Sequence, residues 1–429
     1  MVKSRSKIII KNKHKNIKIT HKNKQQNGNI KQYIIKKYLN KFPYVNKIYT
    51  KDEIFTYLDK IKNTTYKFEH LDKPLELHTF KPKNNKILSL FLGAIDLFDI
   101  SNSSLVEANY IVMDFFSEYC KVKCQHSYSN KMPIQLFEIP SIKQKIAHNL
   151  LKLLPNNTTN ILLSNIDNII NKNKYLLSTA ISNTIYFCNY FRPSLVLQIL
   201  HHFKPNSVLD MSAGWGDRLL GCILYGCNYI GFDPSECMYP VYQKIISNCS
   251  EYYDKTTKNK LYVVEKIGFE NSMNTINKLR NENKEITDGF DLILSSPPYF
   301  DLEQYETNAT SGQSFIKYNG FHNWLINFMF ASLQILWTNL KFGGKMVLYI
   351  DDITSSEKKY IWSEPVIYFC IEKLLNCSYL GMIYTKSTNI RQCFVFEKVL
   401  VSSNKINKEI GTKNMEKYYP EINKILKIQ

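Results

Sequence analysis

A chain of 429 residues with 44% hydrophobic content can bury one large core or two modest ones, and it carries a formal net charge of +19. Its ten cysteines fall in no disulfide-like framework, no apolar segment follows Met1, and no uninterrupted apolar run reaches the length of a membrane span. These features argue against a secreted or membrane protein and for an intracellular one, with Cys222, Cys227 and Cys393 as small core residues.

The first fifty residues hold 14 Lys or Arg and no Asp or Glu, so most of the positive field comes from one end. A basic arm attracts polyanions without choosing a sequence, and salt weakens it. DNA is the expected partner and RNA the alternative. Residues 1–28 are rich in Lys, Asn and Gln and almost free of aromatics, which predicts a disordered basic tail. Residues 29–184 read as a mainly helical region. Tyr33, Ile34 and Tyr38, then Ile54, Tyr57, Leu58 and Ile61, fall at helical spacing. Leu88 to about Cys120 is apolar with a similar period, and 141–187 continues it.

From about residue 190, short β-rich runs alternate with helical stretches. Strands are expected at Ser207–Met211, Tyr229–Asp233, Leu261–Val264, Asp291–Ser295, Lys345–Asp351, Tyr379–Thr385 and Gln392–Lys398. This alternation predicts a Rossmann-like α/β domain over 185–400, with a seven-stranded, mostly parallel sheet covered on both faces. The short connection before the last strand predicts an antiparallel hairpin at one edge, and residues 401–429 form a C-terminal tail or helix. Such sheets bind ligands outside the carboxyl ends of their strands.

The first strand ends in Asp210 and runs into Met-Ser-Ala-Gly-Trp-Gly, placing Ser212, Gly214, Trp215 and Gly216 in a turn that opens a helix. The glycines tolerate positive φ and let a ligand approach the backbone. The next strand ends at Asp233, where a carboxylate can accept hydrogen bonds from ribose hydroxyls. A dinucleotide site shares this outline, and so does a tight turn with no ligand. The turn lacks G-x-G-x-x-G spacing, however, which favours a donor without a pyrophosphate, S-adenosylmethionine.

A later strand delivers Ser296-Pro297-Pro298-Tyr299-Phe300 at its carboxyl end. The exocyclic amine of cytosine or adenine is a poor nucleophile because its lone pair is delocalised into the ring. Two acceptors aimed at its N–H groups favour a pyramidal nitrogen, and the Ser296 hydroxyl and Pro297 carbonyl can supply them. Consecutive prolines fix φ and hold that carbonyl in place. Tyr299, with Phe300 beside it, offers a face on which a flipped or single-stranded base can stack. A Pro-Pro pair that merely ends a strand is the plainer alternative.

Taken together, these segments resemble the class I amino-methyltransferases of the DNA N4-cytosine and N6-adenine type. Ser296–Tyr299 matches the family's [Asp/Asn/Ser]-Pro-Pro-[Tyr/Phe] tetrapeptide, and Asp210–Gly216 its cofactor turn, with Ser212 where a first glycine often sits. Tyr190-Phe-Arg192-Pro193-Ser194 looks like the family's segment near the methionine end of the donor. The strings Gly-Trp-Gly-Asp-Arg and Ser-Pro-Pro-Tyr-Phe-Asp-Leu-Glu are similar to uncharacterised methyltransferases of phages and large DNA viruses. The resemblance covers about 185–400. It implies that Asp210, Gly214, Gly216 and Asp233 hold S-adenosylmethionine, that Glu270 lies near its adenine, and that the substrate is DNA. An RNA base amine is the nearer alternative, and a non-catalytic nucleic-acid-binding protein of the same fold the further one. No usual target-recognition domain fits between Gly216 and Ser296 or after the last strand, so such a domain, if the chain has one, is built from 76–185.

The segment Phe300–Trp324 is polar and aromatic, carrying Tyr305, Phe315, Tyr318 and Phe321, and reads as a lid or as a surface loop. Asp217 and Arg218 are expected to support the cofactor turn. Cys120-x3-Cys124-x-His126 supplies three ligand types without a fourth, so the two cysteines are expected as core residues and no metal site is expected.

Overall fold

The computed structural model describes residues 21–75, 94–99, 102–127, 129, 131–154, 163–306, 312–354, 359–360, 362–386 and 392–400. Nine strands form one sheet. They are β1 (Phe68–Leu75), β2 (Ala94–Asp99), β3 (Ser207–Asp210), β4 (Asn228–Phe232), β5 (Tyr262–Glu265), β6 (Phe290–Ser295), β7 (Leu340–Ile350), β8 (Cys377–Lys386) and β9 (Gln392–Lys398). Their order is β1-β2-β8-β9-β7-β6-β3-β4-β5. The pairs β4–β5, β3–β4, β3–β6 and β6–β7 are parallel, and β9 runs antiparallel to both β7 and β8. The expected seven-stranded, mostly parallel sheet is present over β3–β9, and it is Rossmann-like.

Two expectations are corrected at the far edge. The β8–β9 hairpin is not the end of the sheet, because β2 pairs in parallel with β8 and β1 pairs antiparallel with β2. Both strands come from the region expected to be mainly helical. Short apolar runs do not separate helical from strand period, and the open backbone groups of β8 offer a template that outweighs local preference.

Helices cover the sheet and build the rest. Those used below are α1 (His21–Tyr38), α2 (Lys51–Lys62), α3 (Ser103–Lys121), α4 (Pro140–Leu153), α5 (Pro193–Phe203), α6 (Asp217–Tyr225) and α7 (Tyr239–Tyr252). α1 starts inside the stretch expected to be a disordered tail, and residues 1–20 lie outside the described residues. Its Ile30 and Ile34, with Leu39 just beyond, bury themselves in a satellite core with Phe137, Ile146, Leu150 and Ile181. That burial supplies the stabilisation that the sequence around His21 lacks on its own.

Strand alternation sends neighbouring side chains into two different cores. Val208, Tyr229, Leu292 and Leu294 join α2, α3, α5, α6 and α7 on one face. Leu209, Ile230 and Ile293 join the helical stretch 324–337 and residues Val366–Leu374 on the other. β3 sits where the strand order reverses, with β4 on one side and β6 on the other. The carboxyl ends of β3 and β6 are therefore neighbours at the sheet's switch point, where such folds bind ligands.

Candidate active site

The turn after β3 is organised from beneath by Asp210, which is fully buried. One carboxylate oxygen accepts from the Ser295 hydroxyl (2.7 Å) and the Ser212 N–H (3.1 Å). The other accepts from Arg218 Nε and the Tyr229 hydroxyl, each at 2.7 Å. Arg218 also donates to the Ser212 carbonyl. With all these donors engaged, Asp210 is a buried hub that fixes the turn, and it does not face the pocket. Asp217, pushed up to about 6 by burial, takes the backbone N–H of Arg192 at 3.4 Å. Arg192 has φ 76° and stands over the Tyr110 ring, so it and Pro193 anchor the start of α5 behind the pocket wall.

Above the turn lies an open pocket whose empty space, mouth included, is ≈ 920 Å³. Ser212, Gly214, Trp215, Asp233, Glu270, Ser296 and Pro298 all line it, alongside Phe300. The Asp233 carboxylate receives the N–H of Gly214 on one oxygen and that of Ser235 on the other, both at 2.9 Å. Burial nevertheless raises its pKa to about 6. Gly216 does not line the pocket. Its φ of +87° and a Cβ position 2.7 Å from Ile245 Cδ1 explain why only glycine fits there. Glu270 is held by Lys317 at 2.5 Å on one oxygen, while its other oxygen is buried with no hydrogen-bond partner among the described residues.

The tetrapeptide leaves β6 directly beside the turn that follows β3. The Ser212 hydroxyl donates to the Ser296 carbonyl at 2.8 Å, tying the two segments together. Among the described residues nothing hydrogen-bonds the Ser296 hydroxyl or the Pro297 carbonyl; Ser296 and Pro298 line the pocket, whereas Pro297 is buried and does not. Tyr299 departs from expectation: it is absent from the pocket lining, its ring lies edge-on to Trp362 and its hydroxyl sits 3.4 Å from the Tyr349 carbonyl. Phe300 takes the wall position instead. It has φ 46°, rare for a non-glycine residue, and its ring is backed by Phe321, Trp324 and Tyr360.

The aromatic segment beyond it folds over the pocket. Tyr305, Glu306, Gly312, Gln313 and Phe315 line the pocket, and residues 307–311 lie outside the described residues. Glu306 accepts from the Ser235 hydroxyl (2.9 Å) and from the N–H groups of Glu236 (2.8 Å) and Cys237 (3.4 Å). Glu303–Gln304 form a short strand with Gln125–His126, extended by Ser127 N–H to Leu302 O at 2.8 Å. Glu306 was not assigned a role from sequence, since hydrogen bonds to a distant turn leave no local pattern.

The cysteines need a correction. Cys120 and Cys237 form a disulfide across 117 residues of sequence, and both line the pocket. Cys124 is a buried core residue, as expected, and lies 2.8 Å from Cys188, sulfur to sulfur. Pairing between such distant positions cannot be read from spacing. No group of three or more metal-ligating side chains occurs among the described residues, and no helix among them is long and apolar enough to cross a membrane.

No protein-family model and no curated protein matches the chain. Similar solved structures include TehB from Haemophilus influenzae, at 13% identity and TM-score 0.26, over 47% of this chain and 61% of that one. A methyltransferase homolog protein from Pyrococcus horikoshii shows 14% identity and TM-score 0.32, over 60% and 90%. An O-methyltransferase of Brevibacillus brevis in complex with S-adenosyl-L-homocysteine shows 12% identity and TM-score 0.33, over 60% and 87%. The chain spans less than two thirds of TehB's length. With TM-scores this low, the fold assignment rests on strand order and direction.

Proposed function

We propose that the protein transfers a methyl group from S-adenosylmethionine to the exocyclic amine of a base in DNA, giving N4-methylcytosine or N6-methyladenine. The observation that carries this reading is the Ser296 hydroxyl, unengaged among the described residues, on the wall of a pocket that also presents the Asp233 carboxylate. The residues fit the donor: Asp233 presents a carboxylate steadied by two backbone N–H groups, and Glu270 keeps an unpartnered buried oxygen for an amino group. When bound, the donor supplies an electrophilic methyl on a sulfonium. Ser296 and Pro297 accept the two amine hydrogens and favour the nitrogen lone pair, an electrostatic effect that a fixed backbone delivers without reorganisation. Phe300 offers the stacking face. The amine proton leaves to solvent after transfer, so no strong base is required.

The test is incorporation of labelled methyl from S-adenosylmethionine into DNA and RNA, with Ser296→Ala and Pro297→Ala beside wild type, followed by nucleoside mass spectrometry. Label on a DNA amine that both variants lose supports the reading. Label on RNA alone moves the substrate to RNA, and no label despite donor binding removes the base amine altogether.

A further inference from the structure

The disulfide closes a ring around the pocket. α3 ends at Lys121, one residue after Cys120. Cys120 is bonded to Cys237, on the turn between Asp233 and α7. Backbone N–H groups of that turn, Cys237's own among them, hold the Glu306 carboxylate. Three residues back from Glu306, Glu303 pairs with His126, and five residues before that His the chain re-enters α3. Helix end, donor-side turn, lid and lid strand thus form a circuit in which Cys120–Cys237 is the one covalent tie across the pocket wall. Its other links are the chain itself and non-covalent contacts, among them hydrogen bonds that solvent can replace.

We propose that Cys120 and Cys237 form a thiol–disulfide exchange site that sets the donor affinity of this pocket, a role that rests on the donor reading above. Cys237 is half-buried and faces the pocket, so a dithiol entering by the mouth reaches its sulfur. Attack there breaks the Sγ–Sγ bond and releases Cys120 as a thiolate that takes up a proton. The reductant's second thiol then displaces Cys237, leaving two protein thiols and one oxidised dithiol, with two electrons transferred. The chemistry is confined to this pair. The described free cysteines are all buried, and burial pushes the thiols of Cys124 and Cys188 up, which holds them unreactive. With the bond open, the donor-side turn and the lid strand lose their shared anchor. A bound donor covers Cys237 and slows its reduction.

The experiment uses the full chain, with S-adenosylhomocysteine as probe and dithiothreitol as reductant. Thiol counting on never-reduced protein finds Cys120 and Cys237 blocked. Reduction weakens probe binding by about tenfold or more, oxidised glutathione restores it, and Cys237→Ser binds like the reduced wild type with no response to reductant. Amide exchange over 125–127 and 302–305 speeds up in step with reduction. Unblocked cysteines in the never-reduced protein overturn the proposal, as do equal affinity and equal exchange in both states. If neither state binds the probe, the donor reading falls and exchange alone decides whether the disulfide governs the pocket wall.

Discussion

Replacing Arg218 with Met is expected to destabilise the protein sharply, and the structure gives the size. The Arg218–Asp210 pair is buried, with side-chain exposures of 4% and 0%. Removing the guanidinium takes away the Nε donor to Asp210 and the donor to the Ser212 carbonyl. Asp210 keeps three donors, from Ser295, Ser212 and Tyr229, but its charge is left without a counter-charge in a site closed to water. Breaking a buried pair in this way costs about 3–5 kcal/mol, which for a chain of this size lowers the melting temperature by about 5 °C. Pairing the change with Asp210→Asn removes the stranded charge, so the double variant should be more stable than Arg218→Met alone. Urea unfolding and differential scanning calorimetry of the four proteins close the cycle, with a coupling of at least ~1 kcal/mol expected. A cost below ~1 kcal/mol for Arg218→Met, or simple additivity, would refute the view that Asp210 is a structural hub.

Gly216→Ala meets both a φ of +87° and the Ile245 Cδ1 atom; a loss of about 1–2 kcal/mol from the backbone alone and weaker S-adenosylhomocysteine binding by calorimetry are expected. Asp233 titrates near 6 because burial raises it, so donor affinity should fall as pH drops through about 6, and Asp233→Asn should flatten the profile. The sign for stability is opposite: a raised carboxyl holds its proton more tightly when folded, so its contribution is greatest below the ordinary value of 3.8 and is lost as pH rises through about 6. Glu306→Ala strips the acceptor from the Ser235–Cys237 turn; a charge-assisted set of this kind contributes about 1.5–3 kcal/mol, read as a higher donor KM with faster proteolysis near residues 300–315.

How legible was this arrangement in the sequence? The seven strands of β3–β9 could be read because each is a compact apolar run between helix-length connections, and strands of that kind are specified locally. Asp233, Gly214 and Ser296 were legible for the same reason: each follows directly from a strand's carboxyl end. Asp210 shares that position but turns downward, because Arg218, the second residue of α6, and Tyr229 on the neighbouring strand claim its oxygens. Tyr299 and Phe300 are adjacent, and which ring reaches the pocket depends on a positive φ at Phe300 that no residue preference announces. Neither β1 nor β2 carried a readable signal, since β2's partner β8 lies some 280 residues downstream and β1 pairs only with β2.

The N-terminal region is part of this site rather than an appendage to it. β1 and β2 complete the sheet beyond β8, α3 delivers Cys120 to the pocket wall, and Gln125–His126 pair with Glu303–Gln304, just ahead of the pocket-lining Tyr305 and Glu306. A detachable target-recognition module would pack through a modest, polar surface. Instead Ile54, Leu58, Ile111 and Phe116 share one continuous core with Val208 and Leu292 of the sheet. Removing this region would strip one face of the sheet and one wall of the pocket together. β6 and helices α2 and α3 therefore share one core, and whatever enters the pocket does so past walls that both parts of the chain shape.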